Sequence, residues 1–312
     1  MAPGDCLTDR TRGGCVIVGA MPDPVFTSPA DARERLAQVG YLADAATATT
    51  VFLAATLERA LLVEGPAGVG KTELAKAVAA CTGADLVRLQ CYEGLDESRA
   101  LYEWNYKKQL LRIQAAPTDQ AWEQTHDDIF TEEFLLTRPL LGAIRRDDPT
   151  VLLVDEIDKT DVEVEALLLE VLSDFQVTIP EMGTVSATRR PFVVLTSNAN
   201  RELSEALKRR CLYLYIDYPT PERERDILLE RVPTLERDLA EQVARAAATL
   251  RALDLRKAPS LAESIDWART LLALGVDTLD GAAVAGTLGV VLKHAADHVR
   301  AIKELDLPAV GD

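Results

Sequence analysis

The chain has 312 residues, of which 48% are hydrophobic and 27% are charged, and its formal net charge at pH 7 is −16. This length and composition are typical of a globular protein with one to three domains, and no apolar run approaches the ~18 residues of a membrane span. Because an acidic chain is repelled by polyanions, the net charge argues against nucleic acid or an anionic membrane as the main partner.

The cysteines form no recognisable metal or disulfide pattern. The chain contains 5 of them, an odd number, and no two have the C-x-x-C spacing of a zinc or redox motif. Reduced thiols are the usual state of cysteines inside the cell. We therefore expect a cytoplasmic protein with free cysteines.

The amino-terminal end is predicted to be a disordered extension. Residues 1–24 are rich in Gly, Pro, Asp and Thr and show no periodicity. Met21 stands just before the first organised segment, which raises the hypothesis that translation starts there. Ser28 followed by Pro29 is typical of a helix start, and a second helix is expected over roughly residues 44–56.

The segment 61–79 predicts a strand, a glycine-rich turn and a helix in succession. Residues 61–63 form an apolar run, as in a strand buried on both faces of a parallel sheet, and apolar residues recur at helical spacing between 74 and 79. The turn between them satisfies G-x-x-x-x-G-K-[ST], the phosphate-binding P-loop. Its residues are Gly65, Pro66, Ala67, Gly68, Val69, Gly70, Lys71 and Thr72.

The residue types of this turn suit a nucleotide phosphate. Glycines allow backbone conformations in which successive N–H groups converge on phosphate oxygens, and the following helix directs its partial positive charge at the same anion. Lys71 supplies a point charge for the β and γ phosphates, and the hydroxyl of Thr72 is a Mg²⁺ ligand. The alternative is a chance glycine turn before an ordinary helix, against which the flanking elements argue.

After a predicted strand at 85–91, the segment 92–114 combines aromatic and basic side chains in an unusual way. One interpretation is a hairpin whose aromatic residues pack on its own body, and the other is a projecting insertion that grips a polypeptide or a partner. The following segment, 119–145, is predicted to be mostly helical. The aromatic residues concerned are Tyr92, Tyr102, Trp104 and Tyr106.

A second buried strand, residues 150–154, ends in carboxylates. Because ligands of open α/β sheets bind beyond the carboxyl ends of the strands, Asp155 and Glu156 are expected at the same edge as the P-loop. We predict that Asp155 holds Mg²⁺, directly or through water, and that Glu156 is the general base that polarises the attacking water. An acidic residue placed favourably at a helix start is the alternative, and it applies to Asp158.

A helix is predicted over 162–175, a β-hairpin over 176–190 and a further buried strand over 191–198. Asn198 occupies the polar tip of that strand. A neutral amide there can orient the water or contact the γ-phosphate without lowering the basicity of the carboxylate. The alternative is that Asn198 is an ordinary asparagine at the end of a strand. Its position in the chain, after the P-loop and the acidic pair, favours the functional interpretation.

Arg209 and Arg210 precede the last predicted strand, residues 212–216. Arginine fingers stabilise transition-state charge in nucleotide hydrolysis and are often supplied by a neighbouring subunit. A pair of solvated arginines at a helix carboxyl end is the equally weighted alternative. Two prolines within residues 218–221 predict a domain boundary, and the sequence beyond Thr220 has helical spacing throughout.

The order of these motifs resembles AAA+ ATPases and, within that class, the MoxR branch and its CoxD-like type, which is encoded beside carbon monoxide dehydrogenase genes. The resemblance covers about residues 25–300. The first two resembling segments are diagnostic of an ATPase, and the last three point to the MoxR branch. In chain order the segments are 61–72, 152–159, 195–200, 206–211 and 259–269.

The resemblance implies an α/β core with a parallel sheet sandwiched by helices over residues 25–218, followed by a small all-helical lid domain over 219–312. It implies ATP and Mg²⁺ as cofactors. The residues it would assign are Lys71 and Thr72 (Walker A), Asp155 and Glu156 (Walker B), Asn198 (sensor one), and Arg210, with Arg209 as second choice, for the trans-acting finger.

Two further correspondences and one departure follow from the resemblance. The segments 92–114 and 176–190 correspond to the insert in the family's second helix and to the hairpin before sensor one, which face the centre of the ring in relatives. The family's second sensor is usually an arginine that opens a lid helix, whereas here that helix opens at 259–261 without one. Arg256 lies earlier and Arg269 later, so the second sensor is not assigned.

The function implied by resemblance is Mg²⁺-dependent ATP hydrolysis in a hexameric ring. Such a ring would remodel or mature metalloenzymes together with a von Willebrand factor A (VWA) domain protein. A molybdenum hydroxylase such as carbon monoxide dehydrogenase is the client by analogy alone. One alternative is a nucleic-acid-associated NTPase motor, against which the acidic charge counts. The other is a low-turnover, ATP-switched scaffold, against which Glu156 and Asn198 count.

Overall fold

The computed structural model describes residues 25–115, 126 and 128–308. A five-stranded sheet in the order β2-β5-β8-β1-β9 forms its centre, and every pairing within this sheet is parallel. The predicted extension 1–24 lies outside the described residues. The strands are β1 (Ala60–Glu64), β2 (Asp85–Gln90), β3 (Tyr102–Trp104), β4 (Leu135–Thr137), β5 (Thr150–Asp155), β6 (Gln176–Ile179), β7 (Gly183–Ser186), β8 (Phe192–Ser197) and β9 (Cys211–Tyr215).

Helices flank this sheet and make up most of the described chain after it. In the α/β part they are α1 (Pro29–Gln38), α2 (Ala45–Thr56), α3 (Lys71–Thr82), α4 (Glu97–Ala100), α5 (Tyr106–Ala115), α6 (Pro139–Ile144), α7 (Val162–Asp174) and α8 (Glu205–Arg210). After β9 they are α9 (Pro221–Arg231), α10 (Arg237–Ala252), α11 (Leu261–Ala273), α12 (Gly281–Val291) and α13 (Ala295–Glu304).

The helix starts predicted at Ser28 and near residue 44 are confirmed. The side chain of Ser28 accepts a hydrogen bond from Asp31 N at the start of α1, and that of Asp44 accepts one from Thr47 N at the start of α2. These side-chain acceptors satisfy backbone donors that have no partner within the helix. At the other end of α3, Gly83 adopts φ +67°, the left-handed conformation in which helices commonly terminate.

The central strands bury both of their faces, which explains their continuous apolar sequences. Leu62, Leu152 and Leu195 belong to one core cluster together with residues of α6 and α7. Their neighbours Leu61 and Leu153 point to the opposite face and pack with residues of α1, α2 and α3. Because side chains alternate across a strand, each apolar run supplies both cores, and the sheet is sandwiched between two helical layers.

Two small antiparallel sheets project from the α/β part. The predicted hairpin at 176–190 is confirmed by the pairing of β6 with β7, in which Val177 lies opposite Val185. The predicted helical character of 119–145 is confirmed in part: among its described residues, 126, 128, 129 and α6 are α-helical and 132–134 form a 3₁₀ turn. The helical pattern is interrupted by β4, which pairs with β3 so that Tyr102 lies opposite Thr137. At β4, pairing with a distant strand outweighs the local helical pattern.

The residues after β9 build a separate helical core. Trp267 is fully buried, and its indole N–H donates a 2.7 Å hydrogen bond to the hydroxyl of Thr287, which links α11 to α12. Arg251 of α10 donates to both carboxylate oxygens of the fully buried Glu224 of α9. The predicted boundary at 218–221 falls between β9 and α9, and the division into residues 25–218 and 219–312 stays a prediction. No helix in the described part of the chain is both long and apolar enough to cross a bilayer.

Candidate active site

The glycine-rich turn connects the carboxyl end of β1 to the start of α3, as predicted. Gly65 has φ +153°, and a Cβ at this position would lie 1.9 Å from the carbonyl oxygen of Ile216. Gly68 has φ +76°, and its Cβ would lie 2.5 Å from Cβ of Ser260. Both positions therefore exclude a side chain for two reasons, backbone conformation and space. Gly70, with φ +100°, directly precedes α3.

Lys71 reaches from the start of α3 to the tip of β8. Its side chain is 6% exposed, and Nζ donates hydrogen bonds of 2.7 Å to two P-loop carbonyls and to Oδ1 of Asn198. Burial lowers the pKa of Lys71 below its usual 10.5, and nearby carboxylates, Asp158 first among them, oppose this shift. The ammonium group is thus held between the P-loop and the strand tip, where phosphate oxygens would lie.

Asp155, the last residue of β5, is 2% exposed and has partners on both carboxylate oxygens. Oδ1 accepts hydrogen bonds from the hydroxyls of Thr72 (2.9 Å) and Thr196 (2.6 Å). Oδ2 accepts one of 2.5 Å from the guanidinium of Arg88 on β2. The carboxylate is therefore fixed beside the Thr72 hydroxyl that the P-loop motif assigns to the metal.

The donor set at Thr72 and Asp155 fits Mg²⁺ bound together with a nucleotide. Both residues offer oxygen atoms, which Mg²⁺ prefers, and this ion usually takes only one or two protein ligands beside phosphate oxygens and water. Among the residues that the structure describes, no cluster of three or more His, Cys, Asp or Glu side chains could hold a metal by itself. A metal at this site would accordingly depend on the phosphates that accompany it.

Glu156 follows Asp155 in the left-handed backbone conformation, with φ +59°. A non-glycine residue rarely adopts this conformation, and such residues concentrate at functional sites. Its carboxylate accepts hydrogen bonds from Gln90 (2.8 Å) and Lys159 (2.7 Å), and the Asn198 amide lies 3.4 Å from its Oε1. The side chain is 32% exposed, so water can approach the carboxylate.

Asn198 lies directly after β8 and joins the two parts of the site. Its carbonyl Oδ1 accepts from Lys71 while its Nδ2 faces Glu156, so the two ends of one amide contact a cation and a carboxylate. The predicted residues Lys71, Thr72, Asp155, Glu156 and Asn198 therefore meet at one edge of the sheet, the edge formed by the carboxyl ends of its strands.

Arg209 and Arg210 do not join this group. They end α8 and immediately precede β9, which runs parallel to β1, so they lie at the opposite edge of the sheet. A five-residue strand separates the two edges by about 16 Å. The Nε of Arg210 donates a 2.7 Å bond to the hydroxyl of Ser173, and the main-chain carbonyl of Arg209 accepts from Arg59.

A cleft of about 1230 Å³ lies beside the P-loop, between the sheet edge and the helices after β9. The main-chain N–H of Ala262, near the start of α11, donates a 3.2 Å bond to the carbonyl of Gly68. The helix thus touches the phosphate loop through its backbone. Arg269 also lines the cleft and pairs with Asp266, whereas Arg256 is tied to Asp297 of α13 through its main-chain N–H.

The strand β2 contributes two side chains to the site that were not predicted from the sequence. Arg88 donates a hydrogen bond to Asp155, and Gln90 donates one to Glu156. The hydroxyl of Thr196 donates to the Asp155 carboxylate and accepts from the main-chain N–H of Glu156. Arg88 and Gln90 are two polar residues with period-two spacing at the end of a predicted strand, so they share one face of it. This spacing alone does not predict contact with the acidic residues, because chain order does not show that β2 lies beside β5.

Residues 60–211 match the sequence profile of the family described as "AAA domain (dynein-related subfamily)". Curated relatives include chaperone proteins ClpB. That of Meiothermus ruber is 34% identical over 142 residues, which are 45% of this chain and 14% of that protein. That of Lactiplantibacillus plantarum is 33% identical over 203 residues, which are 64% of this chain and 19% of that protein. The chain spans less than a fifth of the length of these relatives.

Solved structures with a similar course of the chain include Thermotoga maritima RuvB, described as a Holliday junction branch migration motor. The match has a TM-score of 0.44 at 17% identity and covers 88% of this chain and 76% of that one. A mutant of the same protein matches with a TM-score of 0.48 at 16% identity, over 92% of this chain and 73% of that one.

Proposed function

We propose that this chain, whose residues 60–211 form an AAA-class, ATP-hydrolysing P-loop domain, uses Mg²⁺-dependent ATP hydrolysis to remodel another protein. The observation that carries the proposal is the meeting of Lys71, Thr72, Asp155, Glu156 and Asn198 at one sheet edge beside a large cleft. Phosphate hydrolysis needs a phosphate cradle, a metal carboxylate and a group that activates water, and these residues supply all three.

The proposed chemistry assigns one task to each side chain. Thr72 and Asp155 would hold Mg²⁺ when ATP binds, and the metal would supply positive charge that offsets the charge of the phosphates. Lys71 stabilises the same charge from the P-loop side. Glu156 removes a proton from the water whose oxygen attacks the γ-phosphorus, and the bond to the β-phosphate oxygen breaks. Asn198 orients this water and keeps Lys71 and Glu156 in a fixed relation.

We further propose that the functional unit is a ring, of six subunits as in relatives. AAA+ proteins commonly form ring oligomers, and the placement of Arg210 favours one here. Because Arg210 lies about 16 Å from the P-loop edge of its own sheet, it could contact ATP only in a neighbouring subunit. Arg209 is the second choice for this role.

The finer proposal is a MoxR-type, cytoplasmic remodelling ATPase that works with a VWA-domain protein in metalloenzyme maturation. It rests on the sequence resemblance. The likeness of the core to chaperones supports only the broader idea of protein remodelling. Consistent with a protein partner, the insertion exposes large apolar side chains of α5, with Tyr106 62% and Leu111 66% exposed.

The proposal is tested by mass photometry of the Glu156→Gln protein with and without Mg²⁺-ATP. This variant should retain ATP, so it should shift from small species to a ring near six subunits when Mg²⁺-ATP is added. The matched control is Lys71→Ala, which lacks the phosphate-binding ammonium and should not shift. A Glu156→Gln protein that binds ATP and stays monomeric would contradict the self-assembling ring.

Wild-type turnover, measured with and without duplex DNA, separates the proposal from its alternatives. Hydrolysis that DNA leaves unchanged agrees with a protein-remodelling ATPase. Strong stimulation by DNA would favour the nucleic-acid motor. A wild-type rate equal to that of Glu156→Gln would favour the low-turnover scaffold.

A further inference from the structure

Asp158 is a buried carboxylate that the mechanism above does not use. Its side chain is 4% exposed, and it lies in the 3₁₀ turn Ile157–Lys159, directly after the two acidic residues of the site. Burying a carboxylate is costly unless its oxygens have donors. Its partners therefore indicate what it does.

Among the described residues, the three hydrogen bonds that Asp158 accepts come from one loop, the segment 198–200 that follows β8. Oδ1 accepts from the main-chain N–H of Asn198 at 3.2 Å. Oδ2 accepts from the main-chain N–H of Asn200 at 3.1 Å and from its side-chain amide at 2.7 Å. One carboxylate thus bridges the residues on both sides of Ala199.

Ala199 explains why the loop needs such a bridge. It adopts φ +58°, a left-handed conformation that residues with a Cβ avoid. Such a conformation persists only where surrounding contacts enforce it. The hydroxyl of Ser197 accepts from Ala199 N at 3.0 Å, and Asp158 holds the N–H groups on either side.

The shape of this loop decides where the side chain of Asn198 points. Its Oδ1 lies 2.7 Å from Nζ of Lys71 and its Nδ2 lies 3.4 Å from Oε1 of Glu156. A shift of the loop by 1 Å would break this double contact, and misplacement of that size in an active site can cost about 100-fold in rate.

We propose that Asp158 is a positioning residue for hydrolysis, which holds the strained Asn198–Asn200 loop so that the Asn198 amide spans Lys71 and Glu156. This inference rests on the proposed function of the site. Asp158 touches neither phosphate nor water in this role and acts through Asn198. Its loss should therefore affect the rate of the bound complex more than the binding of ATP.

The chain offers a matched control in Glu165. This carboxylate is 1% exposed and contacts the segment between β8 and α8 beyond Asn200. It accepts a 2.9 Å hydrogen bond from Ser204 N and forms a 2.5 Å ion pair with the guanidinium of Arg201. It has the same charge and burial as Asp158 and no contact with Asn198 in the structure. Glu165→Gln therefore reports the effect of disturbing a buried carboxylate without disturbing the site.

The experiment measures kcat, the Kd of a fluorescent ATP analogue and the melting temperature for the full chain carrying Asp158→Asn or Glu165→Gln. Asparagine keeps the shape of Asp158 but directs an N–H₂ donor at backbone donors. We expect kcat to fall about 10- to 100-fold in Asp158→Asn with Kd changed less than about threefold. Glu165→Gln should lower the melting temperature and leave kcat within about twofold.

A second pair of variants separates positioning from general stability. In an Asn198→Ala background, Asp158→Asn should lower kcat no further, because the group it positions is absent. Ala199→Gly added to Asp158→Asn should restore part of kcat, since glycine adopts positive φ without strain. A loss that multiplies with Asn198→Ala, or an equal loss of kcat in Glu165→Gln, would overturn the inference. Wild-type protein without turnover overturns the proposed function and this inference together, whereas normal turnover that Asp158→Asn leaves intact overturns this inference alone.

Discussion

The Nζ of Lys71 donates a 2.7 Å hydrogen bond to Oδ1 of Asn198, a residue 127 positions later in the chain. One residue opens the helix after β1 and the other follows β8, and these two strands are neighbours in the sheet. The contact therefore joins the phosphate loop to the Asn198 amide, whose Nδ2 faces Glu156. It makes the site one connected unit, in which cation, amide and carboxylate constrain one another.

Lys71→Ala should abolish binding of ATP, because it removes the ammonium group that lies nearest the expected phosphate position. We expect an increase in Kd of at least about 100-fold, measured by fluorescence of a bound ATP analogue. Lys76→Ala is the control, since Lys76 lies on the same helix but is exposed and pairs with Glu73. Equal affinity in wild type and Lys71→Ala would contradict the assignment of the P-loop.

Glu156→Gln should retain ATP while turnover falls about 10²- to 10⁴-fold, the usual contribution of a general base. The amide keeps the shape of the side chain and can still accept from Gln90 and Lys159, so the site should stay folded. The measurement combines phosphate release with retention of ATP on the protein. Glu163→Gln, an exposed glutamate in the first turn of α7, should behave as wild type. A Glu156→Gln protein that still turns over would show that another group is the base.

Arg88→Gln should lower the Mg²⁺ concentration that gives half-maximal ATP binding. The Arg88 guanidinium lies 2.5 Å from Oδ2 of Asp155, the carboxylate that is expected to hold the metal, and two cations compete for one carboxylate. Since Arg88 is about half exposed and screened by solvent, we expect a shift of only about 3- to 10-fold.

The control for this prediction lies at the other end of the same strand. Arg146 pairs with Asp85, the first residue of β2, and is similarly exposed. Arg146→Gln should leave the Mg²⁺ dependence unchanged, because its ion pair lies far from the site. A Mg²⁺ titration that is the same in Arg88→Gln and wild type would show that the ion pair does not compete with the metal.

The parts of the fold that could be predicted from the sequence are those that depend on local patterns of residues. Apolar runs located β1, β5 and β8 to within about two residues, because these strands are buried on both faces. The outer strands β2 and β9 were located to the same precision although they have exposed positions. The edge that carries the candidate site followed from Asp155 and Asn198, which lie where two of the buried strands end.

The parts that could not be predicted depend on which strands are neighbours. Gln90 lies opposite Asp155 in the sheet, 65 positions away, so its contact with Glu156 cannot be inferred from spacing. For the same reason, the pairing of β3 with β4 could not be predicted from the sequence. Trp104 of β3 also packs against Phe130, which precedes β4, with ring centroids 5.1 Å apart, and this contact between distant positions is equally absent from local patterns.

The buried thiols should make the protein less stable at alkaline pH. Burial raises the pKa values of Cys91 and Cys211 to about 12, from 9 in exposed thiols. Above pH 9 the unfolded chain releases protons that the folded chain retains, so stability falls as pH rises from about 9 towards 12. Each thiol should contribute a loss of about 1 to 2 kcal/mol at pH 10.

Urea unfolding of wild type and of the Cys91→Ala/Cys211→Ala variant at pH 8 and pH 10 checks this. The variant should lose about 3 kcal/mol less than wild type over this interval, although it starts from a lower stability because of the cavities. Identical losses in the two proteins would show that other groups cause the alkaline instability.

Arg210 should act on the ATP of a neighbouring subunit, because it lies at the sheet edge opposite its own P-loop. Arg210→Ala alone has intact nucleotide sites without fingers, and Glu156→Gln alone binds ATP and has intact fingers but lacks the general base. Each should be nearly inactive by itself. In a mixed ring, however, the Arg210 of a Glu156→Gln subunit can complete the site of an Arg210→Ala subunit. Mixing should therefore restore turnover well above the sum of the two separate rates, with a maximum near equal proportions.

The control mixture combines Glu156→Gln with the double variant Glu156→Gln/Arg210→Ala, which offers no site with a general base and should stay inactive. Repeating the complementation with Arg209→Ala in place of Arg210→Ala decides between the two arginines, since only the variant that lacks the true finger starts inactive and is rescued. If Arg210→Ala is inactive alone and no mixture regains turnover, the finger does not act between subunits. In that case Arg210 acts within its own subunit, where it donates a 2.7 Å hydrogen bond to the hydroxyl of Ser173. Ser173→Ala should then reproduce the loss seen in Arg210→Ala.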